Sequence, residues 1–123
     1  DERGEKRDWY LKGWRDRPMF VSVDEDHKAA AIMIINDPVR DFDRIRSLVK
    51  QGYLVRTRAD SGTQEARSND TVRRNKAFQS GAQAISTDYF LSTNPFDSKY
   101  SVSIQAGIRC NPVLISENCP VLE

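Results

Sequence analysis

The chain has 123 residues, a length that suits one domain and is short for two. Its 19 basic and 18 acidic residues leave a formal net charge of +1, so a broad surface for a polyanion is not expected and any anion site must be local. No apolar run approaches the roughly 20 residues that a membrane-spanning helix needs. We therefore predict neither a nucleic-acid partner nor a transmembrane segment.

Residues 1–18 are highly charged, with Trp9, Tyr10 and Trp14 spaced among the charges. Basic residues interleaved with aromatics occur in nucleic-acid-binding segments, but the acidic residues mixed in here argue against that function. We interpret 1–18 as an N-terminal arm or short helix, and 19–123 as the folded remainder. Because the sequence shows neither an initiator Met nor a signal peptide, we expect a processed product or a fragment.

Periodic patterns predict the secondary structure from residue 19 onward. The first strand candidate is 19–23, and the isoleucine-rich run 30–35 is typical of a strand covered on both faces. Pro38 ends that run. Apolar residues at helical spacing then predict a helix over 41–51, with Gly52 at its C-cap. The remaining predictions are a strand over 53–58, a helix from about 70 to 79, a strand over 82–86 and a strand-like alternation at 100–105.

This alternation of strand and helix predicts an α/β fold with a parallel βαβαβ core and crossover helices. The C-terminal tail is rich in loops and contains both cysteines of the sequence, Cys110 and Cys119. A disulfide between them would close a small loop in an oxidising compartment, and two free thiols in a cytosolic protein are the alternative.

Polar side chains follow each of the three central strand predictions. Ligands bind beyond the carboxyl ends of the strands in a parallel α/β sheet, so these positions are candidates for a binding site. They are Asn36 and Asp37 after the first strand, Arg56, Arg58 and Asp60 on the second, and Ser86, Thr87, Asp88 and Tyr89 at the end of the third.

Arg56, Arg58 and Asp60 lie at alternate positions, which places their side chains on one face of the strand. Two guanidinium groups on one face offer forked donors that suit a phosphate or a carboxylate. The alternative is a structural network in which Asp37, Asp60 and Asp88 neutralise the arginines. The sequence alone leaves both interpretations open.

Catalytic residues are not evident. The single histidine, His27, lies in the charged turn "DEDHK", so a histidine pair for acid–base catalysis is excluded within the 123 residues. Ser86 has neither a neighbouring histidine nor a GxSxG context, which gives little support to a serine nucleophile. The acidic triplet 24–26 lacks the spaced oxygen ligands of a calcium loop. We predict no catalytic residue and no metal ligand in this chain.

Several short motifs occur together in an order that points to one family. They are "NDP" at 36–38, "RTRAD" at 56–60, "SGAQ" at 80–83, "STDY" at 86–89 and "RCNP" at 109–112. With these motifs the chain from residue 19 resembles the C-terminal part of calcium-dependent phosphoinositide-specific phospholipase C-like proteins. That family belongs to the phosphodiesterases on TIM-type barrels, with the glycerophosphodiester phosphodiesterases.

The resemblance implies the C-terminal half of a (β/α)8 barrel with a disulfide-stapled tail, Cys110 to Cys119, in a secreted phosphodiester hydrolase. It implies catalytic histidines and calcium ligands in a missing half, with calcium bound in the complete barrel. The substrate-binding rim would consist of Arg56, Arg58, Asn36, Ser86 and Tyr89, with Asp37, Asp60 and Asp88 as structural members. A non-catalytic binding protein for a sugar, a phosphate or an anionic lipid head group is the alternative.

Half of a barrel cannot close on itself. Strands removed from a closed ring have two unpaired edges and an uncovered inner face. We therefore predict that the chain associates with a complementary N-terminal half chain or with a second copy of itself.

Overall fold

The computed structural model describes residues 4–13, 21–104 and 109–115. Helices and strands follow one another in these ranges, and the predicted parallel α/β core is confirmed. The elements are α1 (Glu5–Leu11), β1 (Ile32–Ile34), α2 (Phe42–Lys50), β2 (Leu54–Arg58), α3 (Gln64–Ser68), α4 (Val72–Gln79) and β3 (Ala84–Ser86).

The three strands form one parallel sheet in the order β1-β2-β3. Ile34, Arg56 and Ala84 form one row across it, because Ile34 pairs with Arg56 and Arg56 pairs with Ala84. Paired residues of parallel strands point to the same face, and successive residues point to opposite faces. The register therefore determines which side chains can meet at the carboxyl end of the sheet.

The third strand begins two residues later than predicted because Gln83 pairs through its side chain. Its Nε2 donates to the carbonyl of Tyr53 at 3.2 Å, and its Oε1 accepts from the amide of Val55 at 2.8 Å. The side-chain amide thereby satisfies backbone groups of β2 ahead of β3.

One face of the sheet is buried against α2. The buried cluster there combines strand residues Met33 and Val55 with helix residues Ile45, Leu48 and Val49. The helical spacing of these apolar residues is the reason that α2 forms where the sequence predicted it. The chain leaves the helix through Gly52, whose φ of 92° is costly for other residues.

The other face of the sheet is open. Ile34 and Leu54 remain 48% and 52% exposed on it, while Met33 and Val55 are buried on the helix side. The expectation that β1 would be covered on both faces is therefore wrong for this chain. Both α2 and α4 contact β2, and the strand alternation turns Ile34 and Leu54 away from the buried face.

Two predicted strands are not observed. Residues 21–23 are not in a strand, and residues 19 and 20 lie outside the described residues. Residues 100–104 are also irregular, and residue 105 lies outside the described part. The alternation of the second segment reflects burial, because Tyr100 and Val102 pack into a cluster with Ala59 and Ala66. Val102 makes a backbone hydrogen bond to the carbonyl of Tyr89 at 2.8 Å.

The sequence did not predict α3. This five-residue helix buries only Ala66 and is otherwise polar, so it has no apolar stripe to detect. Cys110 is half-buried, and its pairing with Cys119 stays a prediction because Cys119 lies outside the described residues. Within the described ranges, no helix has the length and apolar character to cross a membrane.

The hydroxyl group of Tyr100 contacts the residue that follows β2, and removal of that hydroxyl gives a first prediction. Its buried hydroxyl donates to the carbonyl of Ala59 at 2.9 Å. Tyr100→Phe leaves that carbonyl without its donor, so we expect a loss of about 1–3 kcal/mol in the free energy of unfolding at neutral pH. Tyr53→Phe, which removes a half-buried hydroxyl bonded to the Glu25 carbonyl, is the matched control in urea denaturation.

The same variant tests a pH dependence. Burial, and then the negative charge of Asp60, raise the pKa of Tyr100 above its usual range. The unfolded side chain ionises near pH ~10 and the folded one only at higher pH, so this contribution to stability is present below about pH 10 and is lost as the pH rises. Wild-type protein should lose stability more steeply between pH 9 and about pH 11 than Tyr100→Phe. Equal slopes would contradict the burial argument.

Candidate anion-binding rim

The candidate site lies at the carboxyl ends of the three strands, on the open face of the sheet. Leu54, Arg56 and Arg58 alternate with the buried Val55 and Thr57 along β2. The open face thus changes along the strand from an exposed apolar residue to two half-buried arginines. As Arg58 pairs with Ser86 across the sheet, the polar residues predicted at this rim do come together there.

Arg56 is held by a neutral partner. Its Nη1 donates to the side-chain oxygen of Asn36 at 2.5 Å, across from the end of β1. Among the described residues, no carboxylate forms an ion pair with Arg56. Within the described part of the chain, the charge of this half-buried guanidinium is therefore not neutralised by a direct ion pair.

Arg58 is compensated by carboxylates. Its Nη2 lies 3.1 Å from Asp88 Oδ2 and 3.9 Å from Asp60 Oδ1. Its Nε is buried and has no hydrogen-bond partner in the described part of the chain. Arg58 is thus paired with carboxylates, whereas Arg56 is bonded to a neutral amide. The sequence pattern alone does not distinguish the two arginines.

Asp60 connects β2 to the segment after β3. It is fully buried and accepts hydrogen bonds from the hydroxyl of Thr87 and from the backbone amide of Asp88, the latter at 3.3 Å. Asp88 itself is mostly solvent-exposed, with 64% of its side-chain surface accessible. Asp60 therefore links the end of β2 to the residues that follow β3. Asp88 exposes its carboxylate to solvent beside Arg58.

Ser86 and Tyr89 use their hydroxyls within the protein. Ser86 donates to the carbonyl of Thr57 at 3.2 Å, and Tyr89 donates to the carbonyl of Gly62 at 3.1 Å. The Tyr89 ring also packs edge-on against Tyr100, with ring centroids 5.6 Å apart. Each hydroxyl oxygen retains lone pairs that can accept a hydrogen bond.

Arg73 is a rim residue that the sequence reasoning missed. It lies in the first turn of α4 and donates from Nη2 to the backbone carbonyl of Asn36 at 2.9 Å. Its Nη1 lies 3.7 Å from Asp37 Oδ1. Asp37 also accepts from the backbone amides of Val39 and Arg40, as expected of a residue that forms a turn. The sequence did contain a signal for this position. The helix predicted from about residue 70 follows the second strand, so its first turn, with position 73, lies at the carboxyl end of the sheet.

Exposed apolar side chains lie next to the polar rim. Phe90 and Leu91 follow directly after Tyr89 and are 67% and 59% exposed. Val72, which precedes Arg73, is 57% exposed. Exposed apolar residues are therefore sequence neighbours of the rim residues Tyr89 and Arg73.

His27 lies elsewhere. It is exposed in the turn that precedes β1, where its Nδ1 accepts from the backbone amide of Ala29 at 3.0 Å. The rim residues in the described part of the chain thus offer a guanidinium and hydroxyl groups, but no histidine that could transfer a proton.

Comparison with known proteins gives one family. The family model described as phosphoinositide phospholipase C, Ca2+-dependent, matches residues 1–112. The match includes every rim residue and Cys110, and it extends through the charged arm at 1–18, upstream of the motifs that carried the resemblance. No curated protein and no solved structure shows a significant match to the chain.

The described residues do not fit a calcium ion. Within them, no group of three or more His, Cys, Asp or Glu side chains could hold a metal. Calcium takes roughly six to eight oxygen ligands, whereas Asp60 is occupied by Thr87 and Asp88, and Asp88 is paired with Arg58. Both carboxylates are therefore already engaged within the described part of the protein.

The role of Asp60 gives a second prediction. Asp60→Asn replaces a buried acceptor oxygen with an NH2 group that faces the Thr87 hydroxyl or the Asp88 amide, and it removes the charge that faces Arg58. We expect a loss of about 2–4 kcal/mol in the free energy of unfolding, measured by urea denaturation. The control is Asp88→Asn, whose exposed pair with Arg58 should be worth less than about 1 kcal/mol. Similar losses in both variants would contradict a structural role specific to Asp60.

Proposed function

The chain belongs to the family of Ca2+-dependent phosphoinositide phospholipases C, and from this we propose that it supplies the substrate-binding rim of a secreted phosphodiester hydrolase. The observation that carries the proposal is the half-buried Arg56, which is oriented by the neutral Asn36 and has no carboxylate partner among the described residues. A phosphodiester would provide the missing negative charge.

The charge state of Arg56 favours a phosphate over a neutral ligand. A guanidinium matches the oxygens of a phosphate with parallel hydrogen bonds. Attraction between opposite charges also strengthens where water is partly excluded. Asn36 occupies Nη1 of Arg56, so the remaining N–H groups of that side chain are the donors available to a ligand.

The residues beside Arg56 suit the hydroxyl groups of an inositol ring. The exposed carboxylate of Asp88 can accept hydrogen bonds from hydroxyls, and Arg58 holds it in place at 3.1 Å. The hydroxyl oxygens of Ser86 and Tyr89 can accept further bonds because each already donates its own hydrogen to a backbone carbonyl. A negatively charged phosphodiester that carries a polyol fits this combination.

The exposed Phe90 and Leu91 favour a lipid-linked substrate. Both side chains lie within three residues of Asp88 and are largely accessible to solvent. Apolar residues beside a polar site suit a ligand whose head group is attached to acyl chains. This observation supports a phosphoinositide over a free inositol phosphate.

We also propose that the three strands are part of a (β/α)8 barrel that another polypeptide segment completes. The open face exposes Ile34 and Leu54, and a closed barrel would cover both while leaving the carboxyl ends accessible. The completing segment would be a complementary N-terminal half chain or a second copy. In the first case, it would also bring the catalytic histidines and the calcium ligands of the family.

A secreted protein with a disulfide between Cys110 and Cys119 agrees with this function. The bond would tie the tail near Asn111, whose side chain donates to the carbonyl of Gly81 at 2.7 Å, ahead of β3. Disulfides persist in oxidising compartments, so secretion and pairing of the cysteines are proposed together.

A non-catalytic binding protein is the second candidate. The observation in its favour is that Arg56 is bonded to a neutral amide in a chain with a single histidine, which can bind an anion but cannot supply a histidine pair for acid–base catalysis. Hydrolysis of phosphatidylinositol by the completed assembly would distinguish the first function from the second, which predicts binding alone.

The third prediction tests the anion site. Wild-type protein should bind myo-inositol 1-phosphate, and Arg56→Ala should weaken binding by about 1.5–3 kcal/mol, the range for a hydrogen bond to a charged group. Arg46→Ala is the control, because Arg46 is half-buried and donates to the Gln79 carbonyl at 3.0 Å on the helix side of the sheet. Isothermal titration measures both, and vesicles that contain phosphatidylinositol test the lipid form. Unchanged affinity in Arg56→Ala would remove this arginine from the site.

The fourth prediction tests the open face. Light scattering during native size-exclusion chromatography should give a mass above the 14.1 kDa of one chain. The double variant Ile34→Ser/Leu54→Ser should shift the protein towards one chain, because it removes the apolar surface that drives association. Val39→Ser is the control, since Val39 is 47% exposed in the loop after β1. A stable wild-type monomer would contradict completion by a second copy and would leave the complementary half chain as the partner to test by co-expression.

A further inference from the structure

We propose that Arg73 is a positioning residue of the anion site: it fixes Asn36, and Asn36 in turn orients Arg56. We rest this inference on the proposed function insofar as Arg56 binds the ligand. Arg73 itself does not contact the anion in this arrangement.

Arg56 and Arg73 both donate a hydrogen bond to Asn36. Its side-chain oxygen accepts from Arg56 Nη1 at 2.5 Å, and its backbone carbonyl accepts from Arg73 Nη2 at 2.9 Å. The preceding residue, Ile35, donates its amide to the carbonyl of Arg56 at 2.9 Å. Asn36 follows the last ladder contact of β1, so its own position depends on the bond from Arg73.

The surroundings of Arg73 suit a positioning residue and not a cation that binds the ligand directly. Its side chain is only 19% exposed and lies between two carboxylates, Asp37 at 3.7 Å and Glu65 at 4.0 Å. Glu65 is held in turn, because its Oε2 accepts from the amide of Ser61 at 3.0 Å. These carboxylates compensate the charge of Arg73 and would repel an approaching phosphate, whereas Arg56 has no such partner in the described residues.

Substitution of Arg73 should therefore change the mobility of the Arg56 side chain indirectly, through Asn36. Without the bond to its carbonyl, Asn36 is held less firmly, and the long side chain of Arg56 gains conformational freedom in the free protein. Binding must then remove that freedom, which lowers affinity although the ligand loses no direct contact. The effect is one of preorganisation.

A readout without any ligand tests the geometry. Arg73→Met keeps an unbranched apolar side chain but removes the donors, and 15N NMR follows the guanidinium of Arg56. We expect the Arg56 side-chain signal to show faster motion in Arg73→Met than in wild type. Arg74→Met is the matched control, because Arg74 is the next residue of α4, is half-buried and donates to the carbonyl of Ser101 at 2.6 Å. It should leave the Arg56 signal unchanged. An unchanged signal in Arg73→Met would overturn the inference.

A double-mutant cycle with myo-inositol 1-phosphate tests the consequence for binding. Arg73→Met should weaken binding about five- to tenfold in the wild-type background and less than about twofold in the Arg56→Ala background, because coupled residues are not additive. Arg73→Lys should recover part of the affinity, since an ammonium group can also donate to the Asn36 carbonyl. Equal losses in the two backgrounds would indicate direct contact or general destabilisation and would overturn the inference.

The two proposals fail in different ways. If wild-type protein does not bind the probe, the proposed function fails, while the NMR comparison still decides whether Arg73 fixes Arg56. If wild-type protein binds and Arg73→Met changes neither the NMR signal nor the affinity, only the positioning role fails.

Discussion

The central position of β2 in the parallel sheet is the constraint on which the rim depends. The row formed by Ile34, Arg56 and Ala84 places the guanidinium between its two neighbouring strands, within reach of Asn36. A shift of one residue in this register would turn Arg56 towards α2 and expose Val55. Burial of Met33 and Val55 against the helix side opposes that shift, so the apolar cluster on one face determines the position of the charge on the other.

The distribution of charge at the rim shows that two neighbouring arginines can have different roles. Arg58 lies next to Asp60 and Asp88, and Arg73 lies next to Asp37, whereas Arg56 is bonded to a neutral amide. Carboxylates that compensate a cation hold it in place but reduce its attraction for an anion. The structural network that the sequence offered as one interpretation is thus observed for Arg58, whereas anion binding by Arg56 is the function that we propose.

The sequence predicted the core elements β1, α2, β2, α4 and β3 in their order because the signals for them are local. The helical spacing of Ile45, Leu48 and Val49 and the glycine at position 52 depend only on nearby residues, and the rim followed from the rule that strands end where polar residues begin. Long-range contacts were not accessible in this way. The partner of each arginine, whether a carboxylate or an amide, and the bond from Arg73 to Asn36 across 37 positions, depend on packing that no short stretch of sequence encodes.

The misread segment at 100–104 has the same cause. Its alternation was real, and both Tyr100 and Val102 are buried. Period-two burial does not require a strand, because a segment that crosses a cluster can bury every second side chain without a ladder of backbone hydrogen bonds. Distinguishing the two cases needs knowledge of the neighbouring strand, which the segment itself does not contain.

On the function proposed above, the open face would link assembly to binding. At the amino-terminal end of β2, the open face is apolar at Leu54. The next row combines Ile34 with Arg56, and the row after it, Arg58 and Ser86, is polar. A segment that covers the apolar part would also exclude water from one side of Arg56, and the attraction between its guanidinium and an anion would increase as the local dielectric falls. Completion of the sheet would thus strengthen the anion site proposed at Arg56, in addition to any residue that the completing segment supplies.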